Sequence, residues 1–101
     1  MTKKFSLTPD PHFNLNVGLP LPGADPVDVR FTFNHRGLKE LARMTDELPK
    51  RPAVDVLMDI LHGWELEDDF TRENVERLAQ SYPAAPTVIW NAYFDALMGV
   101  R

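Results

Sequence analysis

Residues 85–98 are predicted to form a helix that is apolar around most of its circumference, and few small folds accommodate such a segment. At ~100° per residue the small side chains share one side, the bulky ones share nearly the opposite side, and only Thr87, Asn91 and Asp95 form a polar seam. Such a helix must be covered on two sides, by its own domain or by another chain. The small face consists of Ala85, Val88, Ile89, Ala92 and Ala96, and the bulky face of Trp90, Phe94, Leu97 and Met98.

A second helix is predicted immediately before this one, over residues 72–82. Thr71 is a favourable N-cap, and Glu73 places negative charge in the first turn. Phe70 and Val75 stand at the spacing of a hydrophobic staple. The apolar side chains of the segment lie in one stripe, so we expect an amphipathic helix that covers a core.

Alternating apolar and polar residues predict strands in the first third of the chain. Residues 13–21 keep their apolar side chains on one parity and residues 27–33 do the same, with a turn rich in Pro and Gly between them. The two runs predict an antiparallel hairpin with one apolar face. Phe5 and Leu7 also alternate with polar residues and predict a short edge strand, so strands are expected within residues 5–33.

Two further helices are expected between the hairpin and the helical pair. Residues 36–48 carry apolar side chains on one side, and Asn34 or His35 is the expected N-cap. Residues 53–62 carry apolar side chains over a wide arc, and Gly63 is the expected residue after the helix end. The order predicts an α+β fold, with an N-terminal antiparallel β-hairpin or small sheet followed by about four helices.

The composition, 44% hydrophobic and 26% charged, is typical of a soluble globular protein, and the length predicts a single domain over residues 1–101. The chain has no cysteine, so we exclude disulfides and expect a reducing cytoplasm. No apolar run approaches the ~18 residues that cross a bilayer, and residues 1–4 are not followed by a secretion signal. We therefore expect no membrane association.

The charge is unevenly distributed along the chain. Residues 1–51 carry eight Lys or Arg against six Asp or Glu, whereas residues 52–101 carry three against nine, giving net charges of +2 and −6. Nucleic-acid binding requires clustered basic residues to contact phosphates. The acidic second half therefore argues against a nucleic-acid partner.

Asp55, Asp59 and His62 lie at i, i+4 and i+7 of a predicted helix, and their side chains are of types that bind divalent metals. The same spacing is typical of the solvated face of any amphipathic helix. No further ligand accompanies them, so we expect no metal and no cofactor. The acidic residues 65–69 lack the spaced ligands and central glycine of a calcium loop, and we interpret them as a surface loop.

No catalytic residues are predicted. His12, His35 and His62 are scattered over different predicted elements, and the only serines are Ser6 and Ser81. A nucleophilic triad assembles in space and not in sequence, so its absence from the linear pattern is not decisive. Nothing in the pattern places a nucleophile beside a base.

Trp90 and Phe94 are the strongest candidates for a binding surface. Aromatic residues at helical spacing more often belong to the core. These two, however, share a face nearly opposite the small-residue stripe, and that stripe alone could pack the helix on its own domain. We hypothesise that the small face packs on the domain. The bulky face, formed by Trp90, Phe94, Leu97 and Met98, would then receive a helical segment of a partner or a second copy.

The order and spacing of several motifs resemble those of the phage tail assembly chaperones of long-tailed bacteriophages and prophages. The resemblance covers nearly the whole chain. It begins with KFSLTPDPHF at residues 4–13 and continues through PVDVRFTF at residues 26–33 and His35-Arg36. It is most specific in Gly63-Trp64, Phe70-Thr71, Glu73-Asn74-Val75, Tyr82-Pro83, Tyr93, Leu97 and Gly99.

This resemblance implies a non-enzymatic assembly factor of the host bacterial cytoplasm. Such chaperones bind the long, helical tape measure protein, keep it soluble and help to deliver tail tube protein. Many form homo-oligomers, and they are absent from the mature virion. Two alternatives belong to other classes: a small structural tail protein retained in the virion, and a small nuclease that uses the histidines.

Overall fold

The computed structural model describes residues 5–100, which form a three-stranded antiparallel sheet packed against helices. The predicted α+β class is confirmed. The elements in chain order are strand β1 (His12–Leu21), strand β2 (Ala24–Asn34), helix α1 (Leu38–Glu47), a 3₁₀ turn (Leu48–Lys50), helix α2 (Ala53–Ile60), strand β3 (Leu61–Trp64), helix α3 (Arg72–Ser81) and helix α4 (Ala85–Met98).

Strands β1 and β2 form the predicted hairpin. Leu15 lies opposite Phe31 and Val17 opposite Val29, so the apolar side chains of both strands share one face of the sheet. At the turn Gly23 has a φ of 73°, a left-handed conformation that other residues adopt only at a cost. The hairpin cannot bury its own apolar face, which is why the helices must cover it.

Strand β3 was not predicted. Residues 53–62 were expected to form one helix ended by Gly63, but α2 ends at Ile60 and the chain continues as a strand beside β2, with Trp64 opposite Phe31. Periodicity alone does not separate a short apolar strand from the end of a buried helix. Pairing with β2 decides the outcome, because it satisfies the backbone of this short segment while Leu61 remains buried.

Tyr93 fixes α4 on the sheet. Its ring is fully buried and lies 5.2 Å from the ring of Phe33 and 6.1 Å from that of Phe13, measured between centroids. Its hydroxyl donates to the backbone carbonyl of Asn34 at 2.8 Å, and the Asn34 amide donates to the carbonyl of Asp59 at 3.1 Å. Burial raises the pKa of Tyr93 to about 12. Tyr93 and Asn34 together thus link α4, the end of β2 and the end of α2.

A single apolar cluster lies between the sheet and the helices. It draws on the inner face of the sheet and on the buried side of each helix, as expected for a small α+β fold. Its buried members are Val17, Leu19, Val29, Phe31, Phe33, Leu41, Met44, Val56, Leu57, Ile60, Leu61, Val75, Ala85, Ile89, Trp90 and Tyr93.

The predicted start of α3 matches the structure, whereas the predicted start of α1 was wrong. The Thr71 hydroxyl accepts a hydrogen bond from the backbone N–H of Asn74 at 3.1 Å, as an N-cap does. Helix α1 begins at Leu38 after Gly37, not after Asn34 or His35. Asn34 is the last residue of β2 and cannot also cap a helix.

The predicted edge strand at Phe5 and Leu7 was also wrong. Residues 5–11 form no strand, and Pro9 and Pro11 lack the backbone N–H groups that a ladder requires. Both apolar side chains are 94% exposed. They lie on an uncovered segment that precedes the sheet.

Candidate partner-binding surfaces

The outer side of α4 carries a short apolar stripe near the end of the helix. Phe94, Leu97 and Met98 stand at i, i+3 and i+4, the spacing at which side chains of one helix face meet a second helix. Met98 is 51% exposed, and the other two are partly buried against the core. We call these three residues the α4 stripe.

Trp90 does not belong to this stripe. The expected division of α4 into a small inner face and a bulky outer face was wrong, because the Trp90 side chain is only 9% exposed whereas Ala96 is exposed. The Trp90 ring lies 5.8 Å from the ring of Tyr93 and 6.2 Å from that of Phe94. Trp90 therefore stabilises the fold, and the partner-binding hypothesis for α4 now concerns Phe94, Leu97 and Met98.

A small cleft of about 280 Å³ opens beside the C-terminal end of α4. Leu97 and Ala96 form one wall, and the beginning of β1 forms the other. The cleft extends the apolar surface of the α4 stripe toward the sheet. It is lined by Pro9, Asp10, His12, Phe13, His35, Ala96 and Leu97.

A larger groove of about 470 Å³ lies at the other end of the molecule, between the tip of the hairpin and α3. We call it the tip groove. Its floor is apolar and its rim is polar, which is the composition of sites that bind apolar groups of a partner. The floor consists of Leu19, Leu21, Val27, Val29, Trp64, Leu66, Leu78 and Tyr82, and the rim of Glu67, Asp68, Asn74, Arg77 and Ser81.

The acidic loop after β3 forms one rim of the tip groove. The Trp64 indole N–H donates to the backbone carbonyl of Asp68 at 2.8 Å, which holds the loop against the groove floor. The Asp68 carboxylate lies 3.8 Å from Arg77, whose guanidinium also donates to the Asn74 side chain at 3.0 Å. The Glu67 carboxylate forms no ion pair with any residue in the described range 5–100. This rim therefore presents unbalanced negative charge.

The three residues considered for a metal have separate roles. Asp59 accepts hydrogen bonds from Arg36 and Arg51, each at 3.1 Å, and Asp55 pairs with Arg72. Partial burial favours the neutral form of Asp59, but the hydrogen bonds from the two guanidinium groups outweigh it and keep the pKa of Asp59 below its ordinary value.

Within residues 5–100 no group of three or more His, Cys, Asp or Glu side chains is arranged to hold a metal ion. His62 lies on β3 and not on α2, so the i, i+4, i+7 stripe expected from the sequence does not exist.

The histidines are closer together than their scatter in the sequence suggested. The rings of His12 and His62 stack with centroids 3.9 Å apart, and His35 lines the same small cleft as His12. The backbone N–H of His35 donates to the carbonyl of Pro11 at 2.9 Å, which fixes the entry of the chain into β1. These contacts join the first strand to its neighbours.

A comparison with protein families identifies the whole chain. The family model described as phage tail assembly chaperone matches residues 1–101. The chain belongs to the phage tail assembly chaperone family. The resemblance found in the motifs is thereby confirmed. Searches of curated proteins and of solved structures gave no match.

Membership of the chaperone family suggests a non-enzymatic role in tail assembly. The surfaces of this family member agree with such a role, since the tip groove and the small cleft are open, and Asp59 is engaged in hydrogen bonds with Arg36 and Arg51. None of the helices between residues 5 and 100 is long and apolar enough to span a bilayer.

Sequence reasoning did not identify the tip groove. A usable signal was present, because Leu19, Leu21 and Val27 continue the apolar parity of both strands up to the turn, beyond where short helices cover the sheet. The groove also needs Trp64 and Leu78 from two later elements, and their meeting depends on the unpredicted strand β3.

Proposed function

We propose that this tail assembly chaperone acts without catalysis by binding the tape measure protein in the cytoplasm of the host bacterium. Two observations support the proposal: the family assignment over residues 1–101 and the α4 stripe outside a complete apolar core. The tape measure protein is long and helical according to the resemblance, so it would expose apolar helical faces until the tube encloses it.

The α4 stripe is suited to a helical partner. Phe94, Leu97 and Met98 offer one aromatic, one branched and one flexible apolar side chain along about one helical turn. Methionine adapts to differently shaped neighbours, which helps a surface that must bind related but non-identical segments of a long chain. The cleft beside Leu97 accepts a further side chain of the partner.

The decisive experiment is co-expression with the tape measure protein of the same phage, followed by pull-down and light scattering of the soluble fraction. The wild-type chain should keep the tape measure protein soluble and co-elute with it. A Phe94→Ser, Met98→Ser double variant should lose this effect while its far-ultraviolet circular dichroism and cooperative unfolding persist.

The matched control is Leu38→Ser, which removes an exposed leucine from α1. It should leave the interaction intact. If the control and the double variant solubilise the tape measure protein equally well, the α4 stripe is not the binding surface. If the wild-type chain itself has no effect, tape measure binding must be abandoned.

A second part of the proposal concerns the particle. We expect the chaperone to be absent from the mature virion and the tail tube protein to be its second partner during assembly. Mass spectrometry of purified phage tests the first point. Stoichiometric amounts of the chain in the particle would favour the structural tail protein instead.

A further inference from the structure

The two most exposed large apolar side chains between residues 5 and 100 lie on the segment that precedes the sheet. Phe5 and Leu7 are two residues apart and almost fully exposed, and no helix or strand covers them. In the sequence they directly follow Lys3 and Lys4. We call residues 3–8 the basic arm. Two large apolar groups left in water indicate a contact that a single copy does not make.

The tip groove complements this arm in polarity and charge. It is a groove of about 470 Å³, enough for two large side chains, with an apolar floor and a rim that includes Glu67 and Asp68. The arm carries two lysines followed by two large apolar side chains. Lysines beside the carboxylates would place the apolar side chains over the floor.

The arm does not fill the groove of its own chain, because Phe5 and Leu7 are each 94% exposed. The carbonyl of Pro11 is held by the N–H of His35, so the arm starts at the beginning of β1. From Pro11 to Leu19, the first groove residue on β1, is eight residues of extended chain, or about 26 Å. Leu7 lies four residues from Pro11 and reaches at most ~14 Å, and Phe5 at most ~22 Å, so the backbone of neither residue reaches Leu19 of its own chain.

Helix α4 gives an independent measure of this separation. Its 14 residues correspond to about 21 Å. The cleft at its C-terminal end is lined by Pro9, at the base of the arm, whereas Tyr82 in the tip groove lies just before its first residue. The base of the arm and Tyr82 of the tip groove therefore lie near opposite ends of α4, which favours a contact between copies over one within a single copy.

We propose that the basic arm of one copy docks in the tip groove of a second copy. Phe5 and Leu7 cover the apolar floor, and Lys3 and Lys4 face the acidic rim at Glu67 and Asp68. The contact joins the chaperone to itself. It uses a different surface from the α4 stripe and does not depend on tape measure binding.

The first test measures association of the purified full chain by sedimentation velocity and light scattering. The wild-type chain should self-associate, and a Phe5→Ser, Leu7→Ser double variant should associate about 100-fold more weakly because it removes both apolar contacts. The control Leu38→Ser removes an exposed leucine outside both the arm and the groove, and it should associate like the wild type. A wild-type chain that stays monomeric at ~100 µM overturns the proposal. Equal weakening by the control also overturns it.

The second test exchanges the charges. Lys3→Glu with Lys4→Glu should weaken association, and Glu67→Lys with Asp68→Lys should do the same, while both changes in one chain should restore it. Glu67 and Asp68 are exposed, so their substitution leaves the core unchanged. Failure of the combined variant to recover association would refute the pairing of arm and rim.

A mixing test shows which surfaces meet. The Phe5→Ser, Leu7→Ser chain retains an intact groove, and the Glu67→Lys, Asp68→Lys chain retains an intact arm. Each variant alone should associate weakly, whereas an equimolar mixture should form a one-to-one complex, because the intact arm of one chain meets the intact groove of the other. A mixture that associates no more strongly than the separate variants contradicts docking of arm in groove.

Discussion

Replacing Tyr93 with phenylalanine tests the central contact of the fold with the loss of one atom. The variant keeps the ring stacking on Phe33 but cannot donate to the Asn34 carbonyl, which the tyrosine hydroxyl contacts at 2.8 Å. A buried hydrogen bond of this kind contributes on the order of 1 to 2 kcal/mol, including the cost of leaving its acceptor unpaired. For a chain of this size the melting temperature should fall by about 4 to 8 °C per kcal/mol.

The same hydroxyl makes the stability difference depend on pH. Burial raises the pKa of Tyr93 to about 12 in the folded chain, whereas an unfolded tyrosine has a pKa of about 10. The contribution of the hydroxyl is therefore complete below pH ~10 and is lost as the pH rises from ~10 toward ~12, since only the unfolded chain ionises in that range. At pH ~11 the loss is about 1.4 kcal/mol, enough to cancel most of the advantage of the wild type.

The assay is urea denaturation of the wild type and the Tyr93→Phe variant at pH ~7, ~9 and ~11, followed by circular dichroism. Other groups titrate in both proteins, so only the difference between them is interpreted. Tyr82→Phe is the control, because Tyr82 is the only other tyrosine and is exposed. The reasoning is refuted if Tyr93→Phe is no less stable at pH ~7, or if its stability gap to the wild type stays constant up to pH ~11.

Three further outcomes are expected. Trp90→Ala should destabilise the fold by about 3 to 5 kcal/mol in urea denaturation because Trp90 lies in the core, whereas Met98→Ser should change stability by less than ~0.5 kcal/mol. Equal effects of the two variants would contradict the burial of Trp90. Asp59→Asn should reduce the free energy of unfolding by about 1 to 2 kcal/mol at pH ~7, and this difference should shrink as the pH falls below ~4, because the lowered pKa of Asp59 gives stability that is lost on protonation. A difference that stays constant between pH ~3 and ~7 would show that Arg36 and Arg51 do not stabilise the carboxylate. Thr71→Ala should cost about 1 kcal/mol through loss of the N-cap, whereas Thr87→Ala, at an exposed site within α4, should cost little; the melting temperatures of the two variants decide this.

The sequence allowed the α+β class, the hairpin and the start of α3 to be predicted, because each rests on local chemistry. Alternation over residues 13–21 and 27–33 specifies strands whatever they pack against. Thr71 caps α3 through a contact three residues away. Contacts between residues this close in sequence can be predicted from the sequence alone.

Strand β3 and the orientation of α4 could not be predicted because they depend on distant residues. Leu61 forms a strand only because it pairs with Phe33 of β2, which lies 28 residues earlier in the chain. Helix α4 is apolar nearly all round, so its pattern does not say which side meets the sheet. The hydrogen bond from Tyr93 to Asn34, across 59 residues, selects the side that also buries Trp90.

The same long contact sets the order in which the chain can fold during synthesis. The hairpin and its apolar face leave the ribosome first, but the residue that completes the cover, Tyr93, is made 59 residues after Asn34. Translation at about 5 to 20 residues per second leaves the aromatic face of the sheet open for several seconds. A newly synthesised copy therefore exposes the aromatic face of its own sheet for seconds before Tyr93 can cover it, and in that interval it resembles the unfolded apolar chains that chaperones protect.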